Sequence, residues 1–556
     1  VPVVLGLHAF GHEAGACLVA PDGLRALSEE RLSRVKYDGA FPKKAIEWVL
    51  EASGVGDLEK VDLVVYDLLE RAGPRVIENL RQLGYLGEIR ALRHHEAHAA
   101  SAFFVSPFEE ATVFTIDAGG TREGEEGPGV QPSARQLDHP MRREVQAVFY
   151  GQGHDIRTLR RTVVAPPWTI NPGVFYGLAS EFLGFGQMGA GKVMGLSAFG
   201  GKDVHFRKPF FEDIAEDPLA RCPTKDPLQE SVLHSYLPTV FGGTPPRKRH
   251  EQIDARYRDI AAYVQAECQR AVVSFLRNLA SSAPSTNLCM AGGFALNAIS
   301  NTAILGQTPF KSLFVQPAAT DAGIPLGCAL WGYHVVLGQE RRFEMRTADL
   351  GGAYTIHEIQ RAIGERSGII VRRIDAIEHK AAEELAAGKI IGWLQGRSEF
   401  GPRALGHRSI FADPRNVRSV SRLNEEIKFR ESFRPYAPMV LEEAAKKYFD
   451  LPESSPFMLL IAPVRQEWRS KLPAVTHVDG TARIQTVSEG DEPGLFRLLK
   501  EFERQSGCPV LLNTSFNRAG EPIIESPTDA LDVFLATDLE ALVMEDFWIE
   551  KEHVYE

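Results

Sequence analysis

His94 and His98, four residues apart in "RHHEAHAASAFF" (Arg93–Phe104), are the first residues whose spacing suggests chemistry. On a helix, positions i and i+4 share a face, so both imidazoles can meet one ion. A zinc-protease helix would need Glu directly after the first histidine as general base. His95 stands there instead, and Glu96 comes one position too late. Peptide hydrolysis is thereby excluded, while a metal site stays open if carboxylates arrive from elsewhere. Two candidates exist. Asp117 ends the apolar run "ATVFTID" just before Gly119 and Gly120, and Asp321 in "ATDAGIPLG" stands immediately before a helical pattern. Alone, Asp321 reads as a helix N-cap. Taken together, His94, His98, Asp117 and Asp321 make a His2Asp2 set. Two imidazoles with two hard carboxylates suit Fe(II), Zn(II) or Mn(II) and leave coordination positions for a substrate oxygen.

A second concentration of chemistry is basic. "GWLQGRSEFGPRALGHRSIFADPR" places Arg397, Arg403, Arg408 and Arg415 among glycines, and "NEEIKFRESFRPYAPMV" adds Lys428, Arg430 and Arg434. "HVDGTARIQTV" contributes His477, Asp479 and Arg483, and "CPVLLNTSFNRAGEPI" contributes Asn513, Ser515 and Asn517 after an apolar strand. An unpaired guanidinium beside apolar residues is costly, and an anionic ligand would relieve it. Arginine forks with amide and hydroxyl groups suit phosphates and a small planar carbonyl group. A surface ion-pair network is the structural alternative. In "LCMAGGFALNAISN", Gly292 and Gly293 leave backbone room for a phosphate or sugar ahead of a helix N-terminus. A tightly packed strand-to-helix turn explains the same glycines.

The elements that must position these groups follow from pattern. Val3–Leu7 and Ala16–Val19, the turn Pro21-Asp22-Gly23 and a third run read as a β-meander. "KKAIEWVLEASGV" has amphipathic helical spacing, and "VDLVVYDLL" reads as a buried strand. A second cycle opens with "ATVFTIDAGG" and "VQAVFYGQGHDIRTL", and a helical stretch runs from about Asp254 to Ala280. Two successive meander-plus-helix units predict a duplicated ribonuclease-H-like fold with ligands in the cleft between its halves. After about Glu344 a glycine-containing connection leads into a new α/β unit.

Composition bounds the rest. A chain of 556 residues, 44% hydrophobic and 24% charged, is too long for one core. Its net charge of −11, from 62 basic and 73 acidic side chains, gives no support for a nucleic-acid binder as a whole, leaves room for a local basic pocket and favours small ligands. Six scattered cysteines without C-x-x-C spacing argue against a zinc ribbon or disulfide framework and fit a reducing cytoplasm. No secretory leader is visible after Val1, and no apolar run reaches the roughly 18 residues of a membrane span.

The chain as a whole resembles the NodU/CmcH-type O-carbamoyltransferases, the nodulation-factor, cephamycin and tobramycin enzymes among them. The resemblance covers nearly the full length and rests on ordered motifs. These are "GHEAGACLV", "EERLSRVKYDGAFP", "HHEAHAASAFF", "TIDAGG", "GKVMGLSAFG", "AGGFALN", "ATDAGIPLG", "GPRALGHRSI", "FRPYAPMV", "HVDGTARIQTV" and "LNTSFNRAGEPI". It implies a carbamoyl-transfer domain at 1–345, with an actin-like ATPase superfold similar to tRNA threonylcarbamoyl-transferases, and a YrdC-like α/β domain at 350–556. The C-terminal domain would combine carbamoyl phosphate with ATP, taken with Mg2+, into carbamoyl-adenylate. The N-terminal domain would pass the carbamoyl group to the free hydroxyl of a small-molecule acceptor along an internal path, releasing AMP. No nucleic acid or membrane partner is implied. By position, Arg403, Lys428, Arg434, Arg483, Asn513 and Ser515 match the residues that hold carbamoyl phosphate and nucleotide. Gly292, Gly293 and Asn297 match the N-terminal nucleotide site. His94, His98, Asp117 and Asp321 match metal ligands, Fe(II) being the expected ion, and His12 matches a histidine near the acceptor hydroxyl. "HEAGA" departs from the family's more usual His-Asp-Ala-Ser-Ala, and "TREGEEGPGVQPSARQLDHPMRREVQ" (Thr121–Gln146) reads as an inserted loop. A kinase of the same superfold, a hydrogenase-maturation-type carbamoyl transfer and a non-catalytic metal-binding scaffold are the rival readings.

Overall fold

The computed structural model describes residues 1–69, 72–122, 142–164, 169–201, 206, 209–211, 220–221 and 232–552. The chain divides into two compact units, Val1–Arg25 with Gly39–Met345, and Ala26–Asp38 with Arg346–Glu556. The segment Ala26–Asp38 thus belongs with the second unit, whereas the sequence reading placed it in the first. Its basic side chains account for this. Arg31 donates to the carbonyls of Ile524, Glu399 and Gly401, and Arg34 to those of Ile523 and Pro522.

β1 (Val4–His8), β2 (Gly15–Ala20) and β3 (Gly23–Ser28), whose last three residues are counted with the second unit, form the expected meander, joined by β4 (Leu63–Leu68) and β5 (Glu88–Arg93). The sheet order is β3-β2-β1-β4-β5, with β1 antiparallel to β2 and parallel to β4, and β4 parallel to β5. β1, β2 and β4 are buried at every position, which is why they read as nearly continuous apolar runs. The helix Lys43–Ala52 turns Ala45, Ile46, Val49 and Leu50 into the same core.

The second cycle repeats the topology. β6 (Glu110–Ile116), β7 (Arg143–Gln152) and β8 (Asp155–Val164) form an antiparallel meander. Strand Asn287–Ala291 pairs parallel with β6, and Ser312–Val315 pairs parallel with Asn287–Ala291. Both cycles therefore share one spatial order, third-second-first-fourth-fifth, which is the duplicated ribonuclease-H-like arrangement. The long helix Ala255–Leu279 is capped by Asp254, whose side chain accepts from the Arg256 and Tyr257 N–H groups. Of the segment read as an insertion, residues 123–141 lie outside the described residues; its end is not loop, since Arg143 opens β7.

Two glycines set the close packing that matters for function. A Cβ on Gly6 of β1 would lie 2.0 Å from the Pro325 carbonyl oxygen, and one on Gly327 would lie 1.8 Å from that of Ala97. The helix Ile324–Trp331 is thus pressed at backbone contact onto β1 and onto the helix His94–Phe103.

The second unit is built on a nine-stranded mixed sheet. Its spatial order is Ile369–Arg373, Phe547–Lys551, Ala541–Met544, Ile391–Leu394, Arg408–Ala412, Val510–Ser515, Ala437–Leu441, Thr481–Val487 and Leu460–Pro463. Helices Ile377–Ala386 and Pro493–Ser506 pack Ala381, Leu385, Leu498, Leu499 and Phe502 against its Trp393 and Trp548. Among the described residues no helix is long and apolar enough to cross a membrane. Cys17, Cys268, Cys289, Cys328 and Cys508 are buried free thiols, and Cys222 lies outside the described residues.

Candidate active site

The first unit brings its four expected ligands together. β5 runs directly into the helix His94–Phe103, whose first N–H, that of His94, donates to Thr121 Oγ1 at 2.9 Å. Asp117 directly follows β6, and its main chain is held by Asn171 Nδ2, 2.7 Å from the Asp117 carbonyl. Asp321 starts a short turn ahead of the helix Ile324–Trp331 and makes no capping bond, so the N-cap reading of this residue is overturned. Its carboxylate turns inward because the Gly327–Ala97 contact holds the two helices together. Asp321 Oδ1 lies 3.5 Å from His94 Nε2 and 3.6 Å from His98 Nε2, and Asp117 Oδ2 lies 3.1 Å from His98 Nε2. One ligand atom from each of the four side chains falls within 4.8 Å of the others.

Charge in this cluster is balanced by opposite charge. Burial opposes ionisation of His94, yet the Asp321, Asp117 and Asp67 carboxylates raise its pKa well above that of an ordinary imidazole. Burial likewise opposes ionisation of Asp117, but the nearby His94 and the hydrogen-bonded His98 hold its pKa well below the ordinary carboxylate value. Asp321 is lowered by the charges of His12 and His94 against the same burial. The donor set fits a divalent cation: His94 Nε2 is buried, has no hydrogen-bond partner among the described residues and faces two carboxylates.

Two residues that the sequence reading missed support this set. Asp67, the penultimate residue of β4, is 2% exposed and touches two histidines. His8 Nδ1 lies 2.8 Å from its Oδ1, and His94 Nδ1 lies 2.9 Å from its Oδ2. His8, the last residue of β1, also places Nε2 3.0 Å from the His12 carbonyl oxygen. Both of its ring nitrogens therefore face acceptors, the arrangement of an imidazolium. The signal was present in outline: polar residues at the carboxyl ends of otherwise apolar strands mark the crevice of an α/β sheet.

His12 itself is half-exposed, with Nε2 3.6 Å from Asp321 Oδ2 and Nδ1 3.6 Å from Glu13 Oε2. The Asp321 charge raises its pKa to about 10 against partial burial. The loop around it is strained, with Phe10 at φ 65° and Glu13 at φ 62°. The residues expected to bind nucleotide in this unit have jobs inside the fold. A Cβ on Gly292 would lie 2.2 Å from the Ile116 carbonyl oxygen, and Gly293 N donates to Asp117 Oδ2 at 3.3 Å. Asn297 caps the helix Ala298–Gln307 through Ser300 N and pairs with Gln265. These contacts favour the close-packed turn.

In the second unit the basic residues sort into two kinds. Arg408 is fully buried and donates to the carbonyls of Glu525, Gln395, Gly396, His407 and Gly352. Arg397 donates to Leu350 and Gly351, and Arg415 grips Asp413. These three serve the fold, Arg397 and Arg408 through backbone carbonyls and Arg415 through an ion pair. Arg403, Lys428, Arg430, Arg434 and Arg483 instead converge on one another. Burial, then the neighbouring Arg430, Arg434 and Lys36, push Lys428 well below an ordinary lysine. Burial and Arg403, Arg434 and Arg430 do the same to Arg483. Burial and Arg434 bring Arg403 down to about 10. Among the described residues the one carboxylate within 4.0 Å of these cations is Glu431, at 4.0 Å from Arg434. Lys428 Nζ is held by Ser515 and by the carbonyl and side chain of Asn517, at 2.9 and 2.8 Å. Asn513 donates to Gln485 Oε1 and to the Ala404 carbonyl, and its buried Oδ1 has no partner among the described residues. Converging cations can take up an anion, and the Asn513 Oδ1 atom can accept a hydrogen bond from a donor.

Comparisons with known proteins agree with both units. A carbamoyltransferase N-terminus model matches residues 78–330, and a carbamoyltransferase C-terminus model matches residues 382–551. The nodulation protein NolNO of Sinorhizobium fredii is 35% identical over 98% of this chain and 80% of its own length. An uncharacterized protein of Synechocystis is 33% identical over 99% of this chain and 96% of its own. The 3'-hydroxymethylcephem-O-carbamoyltransferase of Streptomyces clavuligerus is 32% identical over 65% of each chain.

Proposed function

The chain belongs to the carbamoyltransferase family, and we propose that it is an ATP-dependent O-carbamoyltransferase acting in two steps. In the second unit, whose YrdC-like kinship rests on the sequence resemblance, one water cleaves carbamoyl phosphate to carbamate and phosphate, and a carbamate oxygen then attacks the α-phosphorus of ATP, taken with Mg2+, so that the bond to pyrophosphate breaks and carbamoyl-adenylate forms. In the first unit a substrate hydroxyl attacks the carbamoyl carbon; the bond to the AMP phosphate oxygen breaks and AMP departs. The observation that carries this reading is the convergence of Arg403, Lys428, Arg434 and Arg483, cations that disfavour one another's charge until an anion joins them, with Lys428 itself buried.

Arginine forks and Lys428 would hold the phosphates, with Ser515 positioning the Lys428 ammonium. The unpartnered Asn513 Oδ1 suits the carbamoyl NH2, a donor that inorganic phosphate lacks. His94, His98, Asp117 and Asp321 would hold Fe(II) or another divalent ion, whose charge would polarise a phosphate or carbonyl oxygen and offset the Asp321 charge that keeps His12 protonated. His12 would then receive the proton of the attacking hydroxyl. The acceptor class proposed is a small hydroxyl-bearing secondary metabolite of antibiotic type, supported by the name of the cephem-modifying relative.

The test is product analysis with carbamoyl phosphate and ATP. Pyrophosphate release that depends on carbamoyl phosphate, lost in Arg434→Ala and kept in His94→Ala, is the expected result. ADP as the nucleotide product, or no carbamoyl-phosphate dependence in metal-loaded protein, would sink the reading.

A further inference from the structure

We infer that Asp67 is the positioning residue of the first unit's site: its one carboxylate holds His94 with Nε2 aimed at the cation position and, through His8, fixes the loop that carries His12. The first half rests on the metal reading above; the second does not.

Asp67 is a charged residue inside an otherwise apolar, fully buried strand, where it must be compensated. It is compensated by two imidazoles, His8 Nδ1 at 2.8 Å and His94 Nδ1 at 2.9 Å. An ionised carboxylate only accepts, so both Nδ1 atoms carry protons. On His94 this directs Nε2 at Asp117 Oδ2 and Asp321 Oδ1, 3.9 and 3.5 Å away, where it has no hydrogen-bond partner among the described residues. A carboxylate behind a ligating histidine is the usual way a protein chooses which ring nitrogen meets a metal.

The other branch reaches the strained loop. His8 Nε2 lies 3.0 Å from the His12 carbonyl, between Phe10 and Glu13, which both adopt left-handed backbone angles. Non-glycine residues keep such angles only when surrounding contacts enforce them. The His8 bond is one such contact, and the Phe10 N–H to Gly39 carbonyl bond, 2.8 Å, is another. Asp67 therefore links the orientation of a candidate ligand to the position of the candidate proton acceptor.

The test uses Asp67→Asn, which keeps the shape but replaces one acceptor by a donor. Facing two Nδ1–H groups, the amide forces one histidine to change tautomer or lose its bond. Zn(II) affinity is expected to fall about 10- to 100-fold, and in metal-free protein the Nδ1–H signals of His8 and His94, read by histidine 15N NMR, should be present and slow to exchange in wild type and altered in the variant. Unchanged Zn(II) affinity, or wild-type spectra without protected Nδ1–H groups, would overturn the inference whether or not the variant folds. Wild-type protein that binds no divalent cation while showing both protected Nδ1–H signals would overturn the metal reading and leave the loop-fixing role supported.

Discussion

The two units bury charge in opposite ways. In the first, His8, His12, His94 and His98 alternate with Asp67, Asp117 and Asp321 at 2.8–3.9 Å, and the opposite charges favour the ionised forms of His94 and Asp117. In the second, Arg403, Lys428, Arg430 and Arg483 each suffer burial, and the neighbouring cations add to it. A balanced cluster is stable without a ligand and takes up a cation only by giving up protons. A like-charged cluster stays costly until an anion arrives. The sign of the imbalance, more than the burial, indicates what each site is built to receive.

The largest effects should come from exchanging damage between the clusters. Arg434→Ala is expected to cut pyrophosphate release by about 100-fold or more while leaving Zn(II) affinity within about threefold, and Asp321→Asn should do the reverse. Loss of both functions in either variant would break the separation. Next in size is the pH dependence of metal affinity. His94 is raised above 6.5 in the folded protein, so a proton must leave as the metal enters. Affinity should rise about tenfold per pH unit for each proton displaced, through and above pH 6.5, as isothermal titration at several pH values would read; a flat profile would remove the balanced-charge account.

Stability sharpens the comparison further. Pyrophosphate at ten times its Kd should stabilise the second unit by about 1.4 kcal/mol, seen as a higher Tm, with no such response in Arg483→Met. Without ligand, Lys428→Met should stabilise by about 1 kcal/mol, since it removes a buried charge among like charges. Because the folded-state pKa of Lys428 is depressed, the unfolded chain binds more protons. Ligand-free stability contributed by this group therefore rises with pH, from its lowered pKa up to the ordinary 10.5. The depressed carboxylates Asp117 and Asp321 act at the other end: their contribution is present above about pH 4 and disappears as pH falls through their lowered values. Chemical denaturation across pH would separate the two trends.

Much of this was legible before folding. The His94/His98 spacing named a face, the apolar runs named the strands of both cycles, and the order of motifs named the family. What pattern could not separate was one arginine from another: Arg403 and Arg408 share a glycine-rich run, yet one faces other cations and the other is wrapped in carbonyls. Asp321 looked like a cap because local sequence cannot know that Gly327 lets another helix approach Ala97. Nor could it show that Arg31 and Arg34 of an early segment would bind the carbonyls of Pro522–Ile524. By itself the sequence determined which residues were chemically able and which elements they sat on, since side-chain type and periodicity are local properties. The tertiary structure alone decided which of them meet, because His8, Asp67, His94, Asp117 and Asp321 come from distant strand and helix ends, and only close packing brings those ends within hydrogen-bonding reach.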